Sequence, residues 1–414
     1  MCRSLMPFLC LLTMLLTGCP SAPPAGEAES GEIPALTMVR SADLFSDGVD
    51  FLALSEDGST YIVGNKDEGV GLYRASDHVL LERYYERKDE PSATPGDTGL
   101  RGAKAIVFDL GYIDANTWHF TEKTLGENDI RLHIRTIHPS RQISVLSMKE
   151  PPTSAIVSNK NYIAYNSGLI DWRAGKYYPG DSDFFPNPQC YSIPTLTSNN
   201  MIITFLGENI VIFDPLNGRT GYLELWEKVI RFGKRVVVTP DNRYVIGLST
   251  TSRKCTLWNW FTKKEIGHCS ERLREISGKH IEYREVLTLS RDGKLFAVGV
   301  DDNVRVYRIE PFRLELEVAT PGPVARLALS DDGWLAAYDY KGFLRVWNVA
   351  TGSLAGQHSL FDGKTIHGTY VPEIAFQPGS GKLFTTAYGA ITVFEIPKQS
   401  AQQEAESDSG TQKE

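Results

Sequence analysis

A repeat with a mean period of about 46 residues constrains this chain more than any other feature of its 414 residues. Each copy is an alternating apolar segment, a polar turn often containing Asp-Gly or Asp-Asn, and a second apolar segment. The clearest copies span residues 51–58, 286–293 and 326–333. Alternation with a period of two predicts half-buried strands, and Asp-Gly tolerates the positive φ of a tight hairpin. The sequence therefore predicts a repetitive all-β protein.

A third apolar segment in each copy ends in a bulky residue followed by a polar one. These marks are Tyr73, Ile134, Ile170, Phe213, Trp258, Tyr307, Trp347 and Phe394. One small sheet cannot bury both of its faces, whereas a closed ring of sheets can. We therefore expect a single β-propeller of four-stranded blades over residues 34–397, with eight blades, or seven if one irregular copy is an insertion. Little strand-like sequence follows the last mark, so residues 35–40 are expected to complete the final blade.

The segment from Leu335 to Gly352 resembles a blade of the WD-repeat family. Asp339 stands where that family has its turn aspartate, and Trp347-Asn348 stands where Trp-Asp usually occurs. The resemblance extends over roughly residues 35–396 and implies the propeller fold. A quinoprotein-like or YVTN-type propeller has a similar pattern, and both alternatives stay open at this point.

The N-terminus has the pattern of an export signal. Arg3 precedes an apolar run from Leu5 to Leu16, and twelve helical residues rise about 18 Å, short of a bilayer core of about 30 Å. Residues 1–18 are therefore predicted to be a signal peptide. The sequence Leu-Thr-Gly-Cys that ends at Cys19 resembles the lipobox of bacterial lipoproteins, which implies cleavage before Cys19, thioether lipidation and acylation with palmitate-like chains. An ordinary secretory signal is the alternative.

Two polar segments flank the repeat. Residues 19–33 contain Pro, Ala, Gly, Ser and Glu, and they predict a flexible lipidated tether. Residues 398–414 predict a disordered polar tail. Pro20, rather than Asp, follows the lipidated cysteine, which by resemblance to enterobacterial sorting favours the outer membrane, facing the periplasm, over the inner membrane.

Three cysteines remain once the signal is removed and Cys19 is lipidated: Cys190, Cys255 and Cys269. If residues 255–269 form a hairpin, Cys255 and Cys269 face each other at about disulfide distance. The sequence leaves two alternatives open, a cross-strand disulfide or two unrelated thiols, and it does not define the state of Cys190.

The sequence contains no recognisable set of catalytic residues. There is no H-E-x-x-H, G-x-S-x-G or phosphate-loop motif. His133 and His138 are five residues apart, which does not place them on one strand face, so we expect surface or loop positions rather than a metal site. A net charge of −8 argues against nucleic-acid binding. We predict no enzyme activity, no metal and no cofactor.

Exposed aromatic residues in loops are the candidate recognition sites. They are expected at Phe184, Phe185 and Trp334, whereas most of Trp172, Trp258, Trp260 and Trp347 are expected to pack between blades. The favoured function is a monomeric, lipid-anchored scaffold that binds an envelope protein of unknown identity. The alternative is a small-ligand or glycan binder, or an enzyme, that uses the central channel of the propeller.

Overall fold

A computed structural model describes residues 34–43, 49–65, 69–84, 105–124, 130–138, 141–148, 157–159, 161–165, 168–178, 195–206, 209–214, 216–217, 219–224, 234–249, 254–269, 286–360, 371–387 and 390–396. The chain divides into two units, residues 1–31 and 32–414, and everything described lies in the second. The predicted signal peptide, tether and polar tail lie outside the described residues, as do Cys19, Phe184, Phe185 and Cys190.

The described residues form eight antiparallel sheets of four strands each. The strands, in chain order, are β1 Thr37–Asp43, β2 Phe51–Leu54, β3 Thr60–Asn65, β4 Gly69–Arg74, β5 Leu80–Tyr84, β6 Ala105–Asp114, β7 Thr117–Thr124, β8 Ile130–Thr136, β9 Arg141–Met148, β10 Val157–Ser158, β11 Tyr162–Tyr165, β12 Gly168–Asp171, β13 Lys176–Tyr178, β14 Thr195–Leu196, β15 Ile202–Leu206, β16 Asn209–Asp214, β17 Arg219–Glu224, β18 Lys234–Val238, β19 Tyr244–Ser249, β20 Lys254–Asn259, β21 Lys264–Cys269, β22 Val286–Leu289, β23 Leu295–Val300, β24 Asn303–Arg308, β25 Arg313–Ala319, β26 Val324–Leu329, β27 Trp334–Asp339, β28 Phe343–Asn348, β29 Leu354–Ser359, β30 Ile374–Gln377, β31 Lys382–Ala387 and β32 Ala390–Glu395.

Blade 1 comprises β2–β5, and each following group of four strands forms the next blade, up to blade 7 with β26–β29. Blade 8 has the order β30, β31, β32, β1. The first strand of every blade contacts the first strand of the next blade, and β30 contacts β2, so the first strands form a closed inner ring. The chain is thus an eight-bladed propeller, and the predicted blade number is confirmed.

The N-terminal strand closes the ring as predicted. Strand β1 pairs antiparallel with β32, so the first and last described strands share one sheet. The residues just before β1 also reach the neighbouring blade, because Leu36 N donates to Gln357 O over 3.1 Å and Gln357 N donates to Pro34 O over 2.8 Å. The start of the described chain therefore joins the outer edges of blades 7 and 8.

The core lies between the blades. Eight clusters of buried apolar side chains occupy the interfaces between neighbouring blades in the described part of the chain. Between blades 6 and 7, for example, Val304 and Val306 pack with Leu335 and Trp347. Every one of the eight bulky marks falls on a third strand, because that position points into an interface. Each blade thus depends on its neighbours to bury its faces.

The two faces of the propeller carry different connections. Because successive strands are antiparallel, one face carries the turns between first and second strands and those between third and fourth strands. We call it the turn face. The opposite face carries the connections between second and third strands and those between blades. Across the described ranges, no helix has the length and hydropathy that crossing a membrane requires.

Candidate functional site

A serine or threonine hydroxyl organises the turn between the first and second strands in five blades. In blade 6, Leu295 N donates to Ser290 Oγ over 2.9 Å, and Ser290 Oγ donates to Asp292 Oδ1 over 2.8 Å. The equivalent hydroxyl in the five blades belongs to Ser55, Thr197, Thr239, Ser290 and Ser330. The hydroxyl thus satisfies the first backbone N–H of the second strand where no strand partner is available.

The residue three places after each of these hydroxyls has a positive φ. The angles are 69° at Gly58, 69° at Asn200, 58° at Asn242, 71° at Gly293 and 82° at Gly333. Glycine and asparagine are the residues that adopt this region most readily. The tight turns predicted from Asp-Gly and Asp-Asn are therefore confirmed.

Neighbouring turns of this kind are hydrogen-bonded around the centre of the turn face. Asp292 N in blade 6 donates to Asp331 Oδ1 in blade 7 over 2.8 Å, and Gln377 Nε2 in blade 8 donates to Gly58 O in blade 1 over 2.7 Å. We call these five turns, together with the equivalent turn of blade 8, the first-turn ring, which comprises residues 55–59, 197–200, 239–243, 290–294, 330–333 and 377–381. The first-turn ring borders the inner ring of first strands, so it lines the mouth of the central axis at blades 1 and 4–8.

One ion pair joins two turns of this ring that are not neighbours. Arg291 Nη2 in blade 6 lies 3.4 Å from Glu56 Oε1 in blade 1, although blades 7 and 8 separate the two turns along the ring. The two side chains therefore converge over the mouth. Each remains about half exposed, at 47% and 52% of the side chain, so the pair contributes at most about 1 kcal/mol to stability.

The first-turn ring is mainly anionic. Its carboxylates are Glu56, Asp57, Asp241, Asp292, Asp331 and Asp332, and its cations are Arg243, Arg291 and Lys294. Burial acts to raise the pKa of Asp292, but hydrogen bonds from Lys294 and Ser290 outweigh it, so the pKa lies below its usual value. Among the described residues, no group of three or more His, Cys, Asp or Glu side chains is arranged to hold a metal ion. The mouth suits a cationic or hydroxyl-rich ligand.

The exposed large apolar side chains have a different distribution. Those in the described part of the chain all lie in fourth strands or in turns between third and fourth strands, and we call this set the apolar rim. Its members are Met38, Val79, Leu80, Leu81, Tyr177, Leu216, Phe261 and Ile266. Phe261 is the most exposed, at 67%. The rim therefore follows the outside of the propeller over blades 1, 3, 4, 5 and 8.

A buried polar cluster joins blades 1 and 2. His133 Nε2 lies 2.8 Å from Glu122 Oε1, its Nδ1 lies 3.3 Å from the Tyr84 hydroxyl, and its ring stacks on Phe120. The expectation that His133 is a surface or loop residue is wrong, because it points from β8 into this interface. An ion pair between Glu82 and Arg135 lies in the same interface. Every member bonds to another protein group, which fits a structural role.

The structure corrects the prediction for Trp334. Its side chain is only 7% exposed and belongs to the cluster between blades 7 and 8, because β27 begins at Trp334 immediately after the turn. Trp172, Trp258 and Trp347 are buried, as predicted. Phe184 and Phe185 fall outside the described residues, so their role as recognition loops stays a prediction. No local sequence pattern indicates the ion pair between Glu56 and Arg291, because the two residues are far apart in the chain.

The predicted hairpin at residues 255–269 is present. Strands β20 and β21 pair antiparallel, and Cys255 lies directly opposite Cys269. Both are thiols in this structure, Cys255 buried and Cys269 partly exposed.

Comparison with solved structures identifies the type of propeller. The C-terminal WD40 domain of Sif2 superposes with a TM-score of 0.64 at 14% identity, and the match covers 89% of this chain and all of that one. Saccharomyces cerevisiae Sqt1 gives a TM-score of 0.62 at 11% identity over 88% of this chain and all of its own. The fold is a WD40-type β-propeller.

A third match to this WD40-type propeller is the computationally designed Ika8 protein, with a TM-score of 0.59 at 14% identity over 87% of this chain and all of that protein. No protein-family model and no curated protein sequence matches the chain. At such low identities the similarity establishes the fold alone.

Proposed function

We propose that this WD40-type propeller is a lipid-anchored, non-catalytic scaffold of the bacterial envelope that binds a protein partner through its apolar rim. The observation that carries the proposal is the distribution of exposed apolar side chains, which are confined to the outer turns and fourth strands of the described residues. Single exposed apolar residues are ordinary on a protein surface, but adjacent ones, such as Val79, Leu80 and Leu81, are typical of an interaction surface.

Two separate features, on opposite sides of the ring, supply the strongest parts of the rim. In blade 1, Val79, Leu80 and Leu81 are consecutive and all exposed; in blade 5, Phe261 and Ile266 lie on the same hairpin. Aromatic side chains such as Phe261 are enriched in protein interfaces, and burial of aliphatic side chains by a partner removes apolar area from water. WD40-type propellers commonly act as interaction scaffolds, and this supports the proposal by analogy of fold.

The proposed anchor is consistent with the position of the rim. Strand β1 begins at Thr37, opposite Glu395, which is the end of β32 at the turn face. The described chain therefore enters blade 8 at the face that carries the third-to-fourth turns. Lipidation of Cys19 and location in the outer membrane, facing the periplasm, are part of the proposal, and they rest on the lipobox resemblance.

Site-specific photocrosslinking in intact cells tests the scaffold. A photoreactive residue at position 261 is expected to give a discrete adduct with an envelope protein. The same residue at position 263, which is exposed on the same turn, is the matched control. A Phe261→Ser and Ile266→Ser double variant is expected to reduce copurification of the crosslinked protein at least tenfold. An equal yield of that adduct at both positions, or undiminished copurification, would contradict the use of the rim.

Metabolic labelling with a fatty-acid analogue tests the anchor separately. Label is expected on the wild-type chain and on a Cys10→Ala control, but not on Cys19→Ala. Persistence of the label in Cys19→Ala would show that the lipobox assignment is wrong, without bearing on the rim.

The convergence of Glu56 and Arg291 favours a second candidate function, the binding of a small ligand at the axial mouth. A carboxylate and a guanidinium on opposite turns can bind complementary parts of a hydroxyl-rich ligand such as a glycan. Glycan-array binding that Arg291→Ala and Glu56→Gln abolish, but that Arg313→Ala on the outer strand β25 retains, is the expected result for this function. Binding that the mouth variants leave intact would exclude the mouth as the site.

A further inference from the structure

The facing thiols in blade 5 form a distinct chemical feature that neither the rim nor the axial mouth involves. Cys255 on β20 and Cys269 on β21 are directly opposite each other in the antiparallel register. Side chains opposite each other on one face of such a pair have Cβ atoms about 4.5–5.5 Å apart, near the usual range for a disulfide.

The surroundings of the two thiols differ. Cys255 is 1% exposed and belongs to the apolar cluster between blades 5 and 6, whereas Cys269 ends the outer strand and is partly exposed. Burial, followed by contact with Cys269, raises the pKa of the Cys255 thiol well above its usual value. Tyr307 of blade 6 belongs to the same cluster, and Cys269 packs against that cluster. Only Cys269 is therefore accessible to a reagent from solvent.

We propose that Cys255 and Cys269 are a site of disulfide formation, in which Cys269 is oxidised first by an external disulfide and Cys255 resolves the mixed disulfide. The oxidant is a disulfide RSSR, either a small molecule such as oxidised glutathione or the disulfide of an oxidoreductase. The inference concerns thiol chemistry alone and does not depend on the proposed scaffold function.

The reaction balances in two exchange steps. The Cys269 thiolate attacks one sulfur of RSSR, a bond forms between the Cys269 sulfur and SR, and RS⁻ leaves and takes up a proton. The Cys255 thiol then loses its proton, its sulfur attacks the Cys269 sulfur, and the second RS⁻ leaves. The protein loses two electrons and two protons, and RSSR becomes two RSH.

Formation of this bond would fix the outer strand of blade 5. Strand β21 is an edge strand that only β20 pairs with, and Phe312 of blade 6 packs against its Gly267. The cross-link would tie β21 covalently to β20 at its far end, and closing this loop restricts the unfolded chain. The oxidised protein is therefore expected to unfold at a higher urea concentration than the reduced protein.

Peptide mapping of the full-length protein tests the proposal. The reduced chain is incubated with oxidised glutathione, its free thiols are alkylated, and the digest is analysed by mass spectrometry. A cross-linked pair containing Cys255 and Cys269 is expected, and Cys190 should carry glutathione or the alkylating group. Absence of the linkage after full equilibration, or a linkage of either residue to Cys190, would overturn the proposal.

Single variants test the order of the steps. Cys255→Ser is expected to accumulate glutathione on Cys269, whereas Cys269→Ser should leave Cys255 unmodified while folded. Cys255→Ala serves as a second variant if serine is not tolerated in the buried position. Modification of Cys255 in Cys269→Ser at the rate of an unfolded control would refute the order of attack. If none of the variants folds, the outcome of the wild-type mapping decides.

Discussion

At the scale of single residues, the most regular feature is the hydroxyl in the turn between the first and second strands of five blades. The Ser290 hydroxyl accepts a hydrogen bond from Leu295 N and donates one to Asp292. One small side chain thus satisfies a buried backbone N–H and holds the carboxylate of the turn in place. Threonine has the same role at Thr239. The two residue types are interchangeable here because the hydrogen bonds need only the hydroxyl.

Ser290→Ala is expected to destabilise the protein by about 1–3 kcal/mol, because it leaves the buried Leu295 N–H without its acceptor. Ser290→Thr should lose less stability than Ser290→Ala, since it keeps the hydroxyl, as Thr239 does in blade 5. Urea unfolding followed by tryptophan fluorescence measures both values. A Ser290→Ala variant as stable as Ser290→Thr would show that the hydroxyl contributes little.

A second residue-scale prediction concerns His119. Complete burial lowers the pKa of His119 to about 4, below its ordinary 6.5, so between these values the unfolded chain binds a proton that the folded chain does not. Stability is therefore lost as the pH falls through this window. From pH 7 to pH 5 the contribution of His119 should fall by about 2 kcal/mol.

The measurement is the urea midpoint at both pH values in the wild type and in His119→Gln. The variant is expected to lose less stability on acidification than the wild type does. His138→Gln, at an exposed position, is the matched control and should keep the wild-type pH dependence. Equal losses in the wild type and His119→Gln would refute the assignment.

At the scale of elements, the first turns determine how neighbouring blades meet. Gly293 and Gly333 occupy equivalent positions with φ of 71° and 82°, but their surroundings differ. A Cβ on Gly293 would lie 2.5 Å from Pro240 Cδ of blade 5, which precedes blade 6. Nothing lies within 4 Å of a Cβ on Gly333. The first turn is thus both a hairpin and, in blade 6, a contact between blades.

Substituting alanine at these two glycines separates the two roles. Gly333→Ala is expected to cost about 1–2 kcal/mol, from the left-handed backbone alone. Gly293→Ala should lower the free energy of unfolding by more than Gly333→Ala does, because the clash with Pro240 adds to the strain of the left-handed backbone. Thermal or urea unfolding of the two variants in parallel measures the difference. Equal losses of stability in the two variants would mean that Pro240 moves aside without measurable destabilisation.

The sequence predicted elements best where a local pattern determines them. All eight bulky marks lie on third strands. The five positive-φ residues of the first turns are each Gly or Asn, and each follows an Asp or Asn in the sequence. The prediction that Trp334 is exposed in a loop is wrong because β27 begins directly after the turn. The equivalent residues Leu295 and Tyr244 also begin second strands, so comparison of the repeat copies indicates a strand position for Trp334.

At the scale of the whole molecule, the ring places together residues that no local pattern connects. Glu56 and Arg291 meet over the axis, and Tyr84 meets His133 between two blades. The sequence predicted the number of blades and the closing strand, because period and spacing carry that information. It could not predict which side chains converge, because that depends on the angle between blades and on side-chain length.

Closure is the feature of the whole molecule that is easiest to test. Deleting residues 33–42 removes most of β1 and the bridge from Pro34 to Gln357, which leaves β32 with one unpaired edge and exposes part of the last interface. The melting temperature is expected to fall by at least about 5 °C. Deletion of residues 401–414 is the control. An unchanged melting temperature in the first deletion would mean that β1 is not needed for closure.

The pairing of β1 with β32 also sets the order of events during synthesis. Strand β1 emerges before its partner, both from the ribosome and during the proposed export, and the partner follows more than 340 residues later. The pairing of β1 with β32 is therefore the last strand pairing that an emerging chain can make. Until then, the face of blade 1 that packs on blade 8 is uncovered, and β1 has no strand to pair with. An unpaired strand edge is prone to aggregation. A chain of this design would benefit from a chaperone that covers those edges until Glu395 has emerged.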